Sequence, residues 1–89
     1  MSYKYYRVKK KYLGYRGERY FQFDPDNDYA IQICIHQGRV KKGRAHTYGI
    51  YRISRNTFLA NYKGMGMVER IPKSEFKKHF ILMIKVLKP

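Results

Sequence analysis

Rings and cations are interleaved at the start of the sequence: Tyr3, Lys4, Tyr5, Tyr6 and Arg7, then Tyr12, Tyr15, Arg16, Arg19 and Tyr20. Such a mixture suits nucleic acid, because exposed rings stack on bases at roughly 1–3 kcal/mol each while cations neutralise phosphate. We expect Tyr5, Tyr6 or Tyr20 to be available for stacking, with Lys9, Lys10 and Lys11 extending a cationic track. The opposing reading of each tyrosine is packing at the margin of a core with its hydroxyl at the surface.

A second concentration of chemistry lies between Gly38 and Ala45, where Arg39, Lys41, Lys42 and Arg44 occur without an acid. Flexible glycines let a backbone approach a phosphate ridge, and arginine forks with lysine point charges would grip it. The opposing reading is a solvated loop, but four uncompensated cations are costly there without an anionic partner. The spacing of Gly38 and Gly43 matches part of a phosphate-binding P-loop, yet Arg44-Ala45 stands where Lys-Ser/Thr is required. Nucleotide hydrolysis is disfavoured.

Catalysis has one serious form in this sequence, a metal-independent ribonuclease. His46 and Tyr48 would act as general acid and base, with Arg44 and Arg52 steadying the charge that develops on phosphorus. No acid lies near His46 in sequence to orient it, so we lean away from an enzyme. His36, His46 and His79 are too scattered for a metal motif, and Asp24, Asp26 and Asp28 lack the glycine and closing glutamate of a calcium loop, Tyr29 and Ile35 standing there instead. Neither a metal nor a cofactor is expected.

The charge balance supports the phosphate reading. Twenty Lys and Arg oppose six Asp and Glu in 89 residues, for a formal net charge of +14. Self-repulsion on that scale opposes folding and exceeds what solubility needs, so attraction to a polyanion is its natural use. The 44% hydrophobic fraction, with ten Tyr and five Phe, is too rich for a disordered basic tail. The longest apolar run, Phe80 to Ile84, is far below the ~20 residues of a membrane span. The only cysteine, Cys34, excludes an internal disulfide and points to a reducing, cytoplasmic setting.

Positioning these groups falls to one small domain, residues 1–89, of the α+β class: an antiparallel sheet of about four strands, packed on one face by one or two C-terminal helices. Strands are expected within Tyr3–Tyr12 and at Arg19–Phe23, with Phe21 and Phe23 on one side and Tyr20 and Gln22 on the other. Tyr29–His36 alternates most cleanly, setting Tyr29, Ile31, Ile33 and Ile35 against Ala30, Gln32, Cys34 and His36. With His46–Ile53 it forms a hairpin whose tip, residues 38–45, is basic. Ser54 caps a short helix through Tyr62, Met67–Ile71 offers a further strand, and Pro72 and Ser74 open a last helix. Phe76, Phe80, Met83, Ile84 and Leu87 form its apolar stripe, although a helix ending near Phe80 followed by a strand over 81–87 also fits. An echo at an offset of 18 residues aligns Arg52-Ile53-Ser54, Phe58 and Tyr62 with Arg70-Ile71-Pro72, Phe76 and Phe80, suggesting two strand-to-helix units.

The expected function is non-catalytic nucleic-acid binding, DNA or RNA, with Arg55 and Lys73 adding charge beside the two helix entrances. The alternative is a small inhibitor that docks in an acidic groove of a nucleic-acid-processing protein, using the same charges.

Overall fold

The structure, a computed structural model, describes residues 3–37 and 49–87. The expected basic tip, with Arg39, Lys41, Lys42, Arg44, His46 and Tyr48, lies outside the described residues. Strands β1 (Lys4–Val8), β2 (Gly17–Phe23), β3 (Tyr29–Gln37), β4 (Gly49–Ser54) and β5 (Val68–Ile71) form one sheet in the order β4-β3-β2-β1-β5. Every neighbouring pair is antiparallel. The class is α+β, with five strands instead of about four, the fifth being supplied by the Met67–Ile71 segment.

Side chains alternate between the two faces of a strand, and this sequence places aromatic or aliphatic residues on both. Tyr6, Val8, Phe21, Phe23, Ala30 and Val68 share the first face, and Tyr5, Tyr20, Ile33 and Ile71 the second. A sheet apolar on both sides needs two covers, so the helices divide between the faces instead of sharing one as expected. After β4 the chain forms a helical turn, Arg55–Phe58, that runs into a π-helix, Leu59–Lys63, and lays Phe58 and Tyr62 on the first face. It then adds β5 to the far edge beside β1 and returns over the second face as a long helix, Lys73–Leu87, through Phe76 and Met83.

The 18-residue echo thus has a structural counterpart. Ile53 and Ile71, at equivalent positions of the two edge strands, point to opposite faces, and each joins the cluster under the helix that follows it. The same strand-to-helix unit is used twice, once at each edge, on opposite sides of the sheet.

Ser54 caps its helix as read: its hydroxyl oxygen accepts the Thr57 N–H at 3.1 Å. Its replacement by alanine leaves an amide unsatisfied and is expected to cost about 1 kcal/mol, measured as a lowered urea midpoint. The π-helix closes at Gly64-Met65-Gly66, where a Cβ on Gly64 would lie 2.6 Å from the Leu59 carbonyl oxygen and Gly66 adopts φ +66°. The Lys73–Leu87 segment is helical throughout, which decides against a terminal strand over 81–87. Of its expected stripe, Phe76 and Met83 are buried and Phe80 partly so, whereas Ile84 is exposed. One residue beyond Met83 is about 100° round the helix, far enough to leave the sheet.

Candidate nucleic-acid interface

The register defines two ends of the sheet. Gly17 pairs with Gln37, and Gly49 with Cys34, at the end where β1 hands over to β2. At the other end lie the Asp24–Asp28 turn, the Tyr29–Ser54 pair and the start of the Lys73–Leu87 helix. The β1–β2 connection carries Lys9, Lys10 and Lys11 into a single 3-10 turn, Lys10–Tyr12, followed by a helical turn, Leu13–Arg16. Lys10 and Lys11 are exposed, and Lys9 is fixed through its backbone N–H, which donates to the Met67 carbonyl at 2.9 Å.

Arg16 holds this connection in place. Its guanidinium lies 5.0 Å from the Tyr15 ring centre and 5.1 Å from that of Tyr62, and it donates to the Asn61 carbonyl at 3.3 Å. Such cation-on-ring contacts contribute about 0.5–2 kcal/mol each, depending on desolvation. Arg19 Nε in turn donates to the Arg16 carbonyl at 2.7 Å. The basic turn is therefore tied to the π-helix across 45 residues of sequence.

All six carboxylates lie among the described residues, and they are gathered in two places. Asp24, Asp26 and Asp28 occupy the β2–β3 turn, where Asp24 Oδ1 accepts the Asp26 N–H at 3.0 Å. Glu69 and Glu75 both bind Arg7, at 2.7 and 3.1 Å, and Glu18 accepts the Tyr20 hydroxyl at 3.2 Å. Arg7 is the only cation among the described residues with a carboxylate within 4.0 Å. Elsewhere among the described residues the positive charge is not neutralised by acids. Several cations rest on rings instead: Lys11 on Tyr12, Arg52 on Tyr29, Lys63 on Phe23 and Arg70 on Tyr6.

The tyrosines expected to stack on bases are not available for it. Tyr5, Tyr6 and Tyr20 are only 8, 5 and 6% exposed, their rings packed on Phe76, Phe58 and His79. The reason is the second cover: the face on which Tyr5 and Tyr20 lie would be open had both helices packed on the first. Among the described residues the exposed tyrosine rings are Tyr3, Tyr15 and Tyr29. The two cations expected at the helix entrances are not brought together either. Arg55 and Lys73 stand at opposite edges of the sheet, and Arg55 is engaged in tying the β2–β3 turn, its guanidinium donating to the Pro25 carbonyl at 2.8 Å. Of the ribonuclease set only Arg52 is described, and it lies 4.9 Å over the Tyr29 ring.

Sequence reading missed the cleft of about 260 Å³ bordered by Arg7, Lys10, Glu18, Arg19, Tyr20 and Glu69. The two ion pairs of Arg7, at its border, join residues 62 and 68 positions apart, so no local spacing announces them. Burial, with the neighbouring Glu18 charge, pushes the Tyr20 hydroxyl up from 10.0 to about 12. His79, stacked on Tyr20 with ring centres 4.0 Å apart, is held below its ordinary 6.5 by burial, against the opposing pull of Glu18 and Glu75. No group of three His, Cys, Asp or Glu among the described residues is arranged to hold a metal ion.

Linkage gives a pH prediction from this stack. A lowered histidine value means the unfolded chain binds the proton better, so this contribution is present above about pH 6.5 and lost as pH falls through the folded value. The raised tyrosine value acts at the other end, its contribution being complete below about pH 10 and lost towards 12. Urea midpoints should therefore fall between pH 7.5 and 5.5, and His79→Phe, which keeps the stacking ring, should reduce that fall. An identical pH response in the variant would remove His79 from the account.

No family model, curated protein or solved structure matches the chain.

Proposed function

We propose that the protein binds nucleic acid without catalysis, holding the phosphate backbone with Lys9, Lys10 and Lys11 and with Arg39, Lys41, Lys42 and Arg44. One observation carries this reading: among the described cations only Arg7 has a carboxylate partner. Unneutralised charge at a net +14 raises the local concentration of a polyanion and draws its binding energy from released counterions. The strands flanking the Arg39–Arg44 segment, β3 and β4, meet it at the end of the sheet that also bears the Lys9–Lys11 turn, which supports one shared track. The same reading places the protein in a reducing cytoplasm, with Cys34 a buried free thiol. No helix among the described residues is long and apolar enough to cross a membrane.

The test is direct titration of a labelled oligonucleotide with the purified protein, at 50 and 200 mM salt. Saturable binding that weakens steeply with salt supports the reading, and no binding at 50 mM overturns it.

A second reading has its own observation. The last two turns of the long helix expose Ile81, Leu82, Ile84 and Val86 among Lys77, Lys78 and Lys85. Exposed aliphatic residues gathered on one element mark protein contacts more often than nucleic-acid contacts. A partner presenting an acidic, apolar groove would complement them. This reading requires the partner to be present for any effect on nucleic acid, whereas the first does not.

A further inference from the structure

We infer that the nucleic acid is bound as a duplex, through its two phosphate backbones, and not as a single strand through stacked bases. This rests on the nucleic-acid reading above and specifies its substrate class.

A protein that takes up single strands combines a cationic groove with rings on which successive bases stack. On a β-sheet this requires an open face carrying rings side by side. Both faces are covered here: Phe58 and Tyr62 lie over the first, and Phe76 and Met83 over the second. Tyr5 and Tyr20, on adjacent strands of the second face, would begin such a platform, but Tyr5 packs 5.2 Å from Phe76 and Tyr20 stacks 4.0 Å from His79. Tyr6, on the first face, packs 5.5 Å from Phe58.

The fully exposed tyrosine rings among the described residues cannot replace it. Tyr15 lies in the β1–β2 connection, while Tyr3 precedes β1 and Tyr29 begins β3, both at the opposite end of the sheet. Tyr15 and Tyr29 are also each covered on one side by a guanidinium, Arg16 at 5.0 Å and Arg52 at 4.9 Å. They form no row along which consecutive bases could stack.

What remains is charge. Duplex DNA presents one negative charge for about every 1.7 Å of its axis, twice the density of one of its strands, and each phosphate contact contributes a salt slope of about 0.9 against about 0.7 on a single strand. A surface that, among the described residues, supplies cations without a row of stacking rings gains more from the denser array. The exposed Lys10 and Lys11, beside Lys9 on one short turn, present their charges as a compact knob suited to a backbone ridge.

The experiment titrates the full chain, at 100 mM salt, into three labelled probes of one sequence and length: a 20-base-pair DNA duplex, the corresponding RNA duplex, and the DNA single strand. At least one duplex should bind tenfold or more tighter than the single strand; the DNA and RNA arms then tell B-form from A-form backbone. A single strand bound within tenfold of the tighter duplex overturns the inference while leaving nucleic-acid binding intact. Absence of binding to all three overturns the underlying reading instead. Tyr3→Ala and Tyr29→Ala, both at exposed positions, should change the affinity for the preferred duplex less than twofold. A tenfold loss in either would restore stacking as the mode of binding.

Discussion

Phe58→Ala is expected to lower the stability of the folded protein by about 3–5 kcal/mol, the range for removing a fully buried phenylalanine ring. Phe58 has no exposed surface, and the rings of Tyr6, Phe21 and Phe23 lie 5.5, 4.9 and 4.9 Å from its own. All three neighbours are on sheet strands, whose pairing limits how far they can move to refill the space, so the cavity contribution should be retained. At the usual 0.05–0.15 kcal/mol per residue a chain of this length has only about 4–13 kcal/mol in total. The variant should therefore unfold at a much lower urea concentration, or be partly unfolded in buffer, by circular dichroism. Phe76→Ala, on the other face, should cost less, because that ring borders an open cleft with Tyr5, Gln22 and Phe80 and its surroundings can relax or hydrate. A loss below 1 kcal/mol for Phe58→Ala, or a larger loss for Phe76→Ala, would shift the weight of the core to the second face.

The importance of Phe58 was only half visible in the sequence, and the limit is instructive. Local periods were legible because they follow from backbone geometry: the alternation of Tyr29–His36, the Ser54 cap and the four-residue spacing of Phe58 and Tyr62 all survive in the structure. The 18-residue echo was legible for the same reason, since a strand end followed by a capped helix has a fixed local pattern. Which face each copy covers was not legible. That depends on β5 pairing with β1, a contact between segments more than sixty residues apart in which Tyr6 meets Arg70 and Arg7 meets Glu69. Once β5 sits on the far edge, the following helix returns over the second face and closes off Tyr5 and Tyr20. The error about stacking rings thus has one cause: alternation assigns a ring to a side of the sheet, whereas its exposure is decided by an element that comes later in the chain. Arg16 illustrates the same limit, for its role as a clamp depends on the π-helix residues Asn61 and Tyr62. Charge behaved differently. Six acids cannot pair with twenty cations wherever the chain goes, so a largely unneutralised surface was already contained in the composition.

That surplus makes the second prediction large and independent of fold stability. Replacing Lys9, Lys10 and Lys11 together by glutamine should weaken binding to duplex DNA by about 500-fold at 0.1 M salt, since a slope of about −0.9 per phosphate is roughly eightfold for each contact between 1 M and 0.1 M. The salt slope itself should become shallower by about 2.7 if each lysine meets one phosphate. Replacing Lys41, Lys42 and Arg44 should flatten it again by a similar amount if the Arg39–Arg44 segment shares the track. Folding should respond in the opposite sense, because removing like charges from a chain at +14 relieves self-repulsion, so the urea midpoint should hold or rise. The combination separates a binding surface from a structural one, since a lysine needed for packing would lose stability along with affinity. The control is the same number of neutralisations at Lys77, Lys78 and Lys85 on the long helix. In the proposed arrangement these matter less to the slope than the Lys9–Lys11 turn, whereas a protein partner seated on Ile81, Leu82, Ile84 and Val86 would depend on them first. Equal loss from both triplets would mean that the charge acts as a diffuse field with no localised track, and an unchanged slope after Lys9, Lys10 and Lys11 are neutralised would remove that turn from the interface.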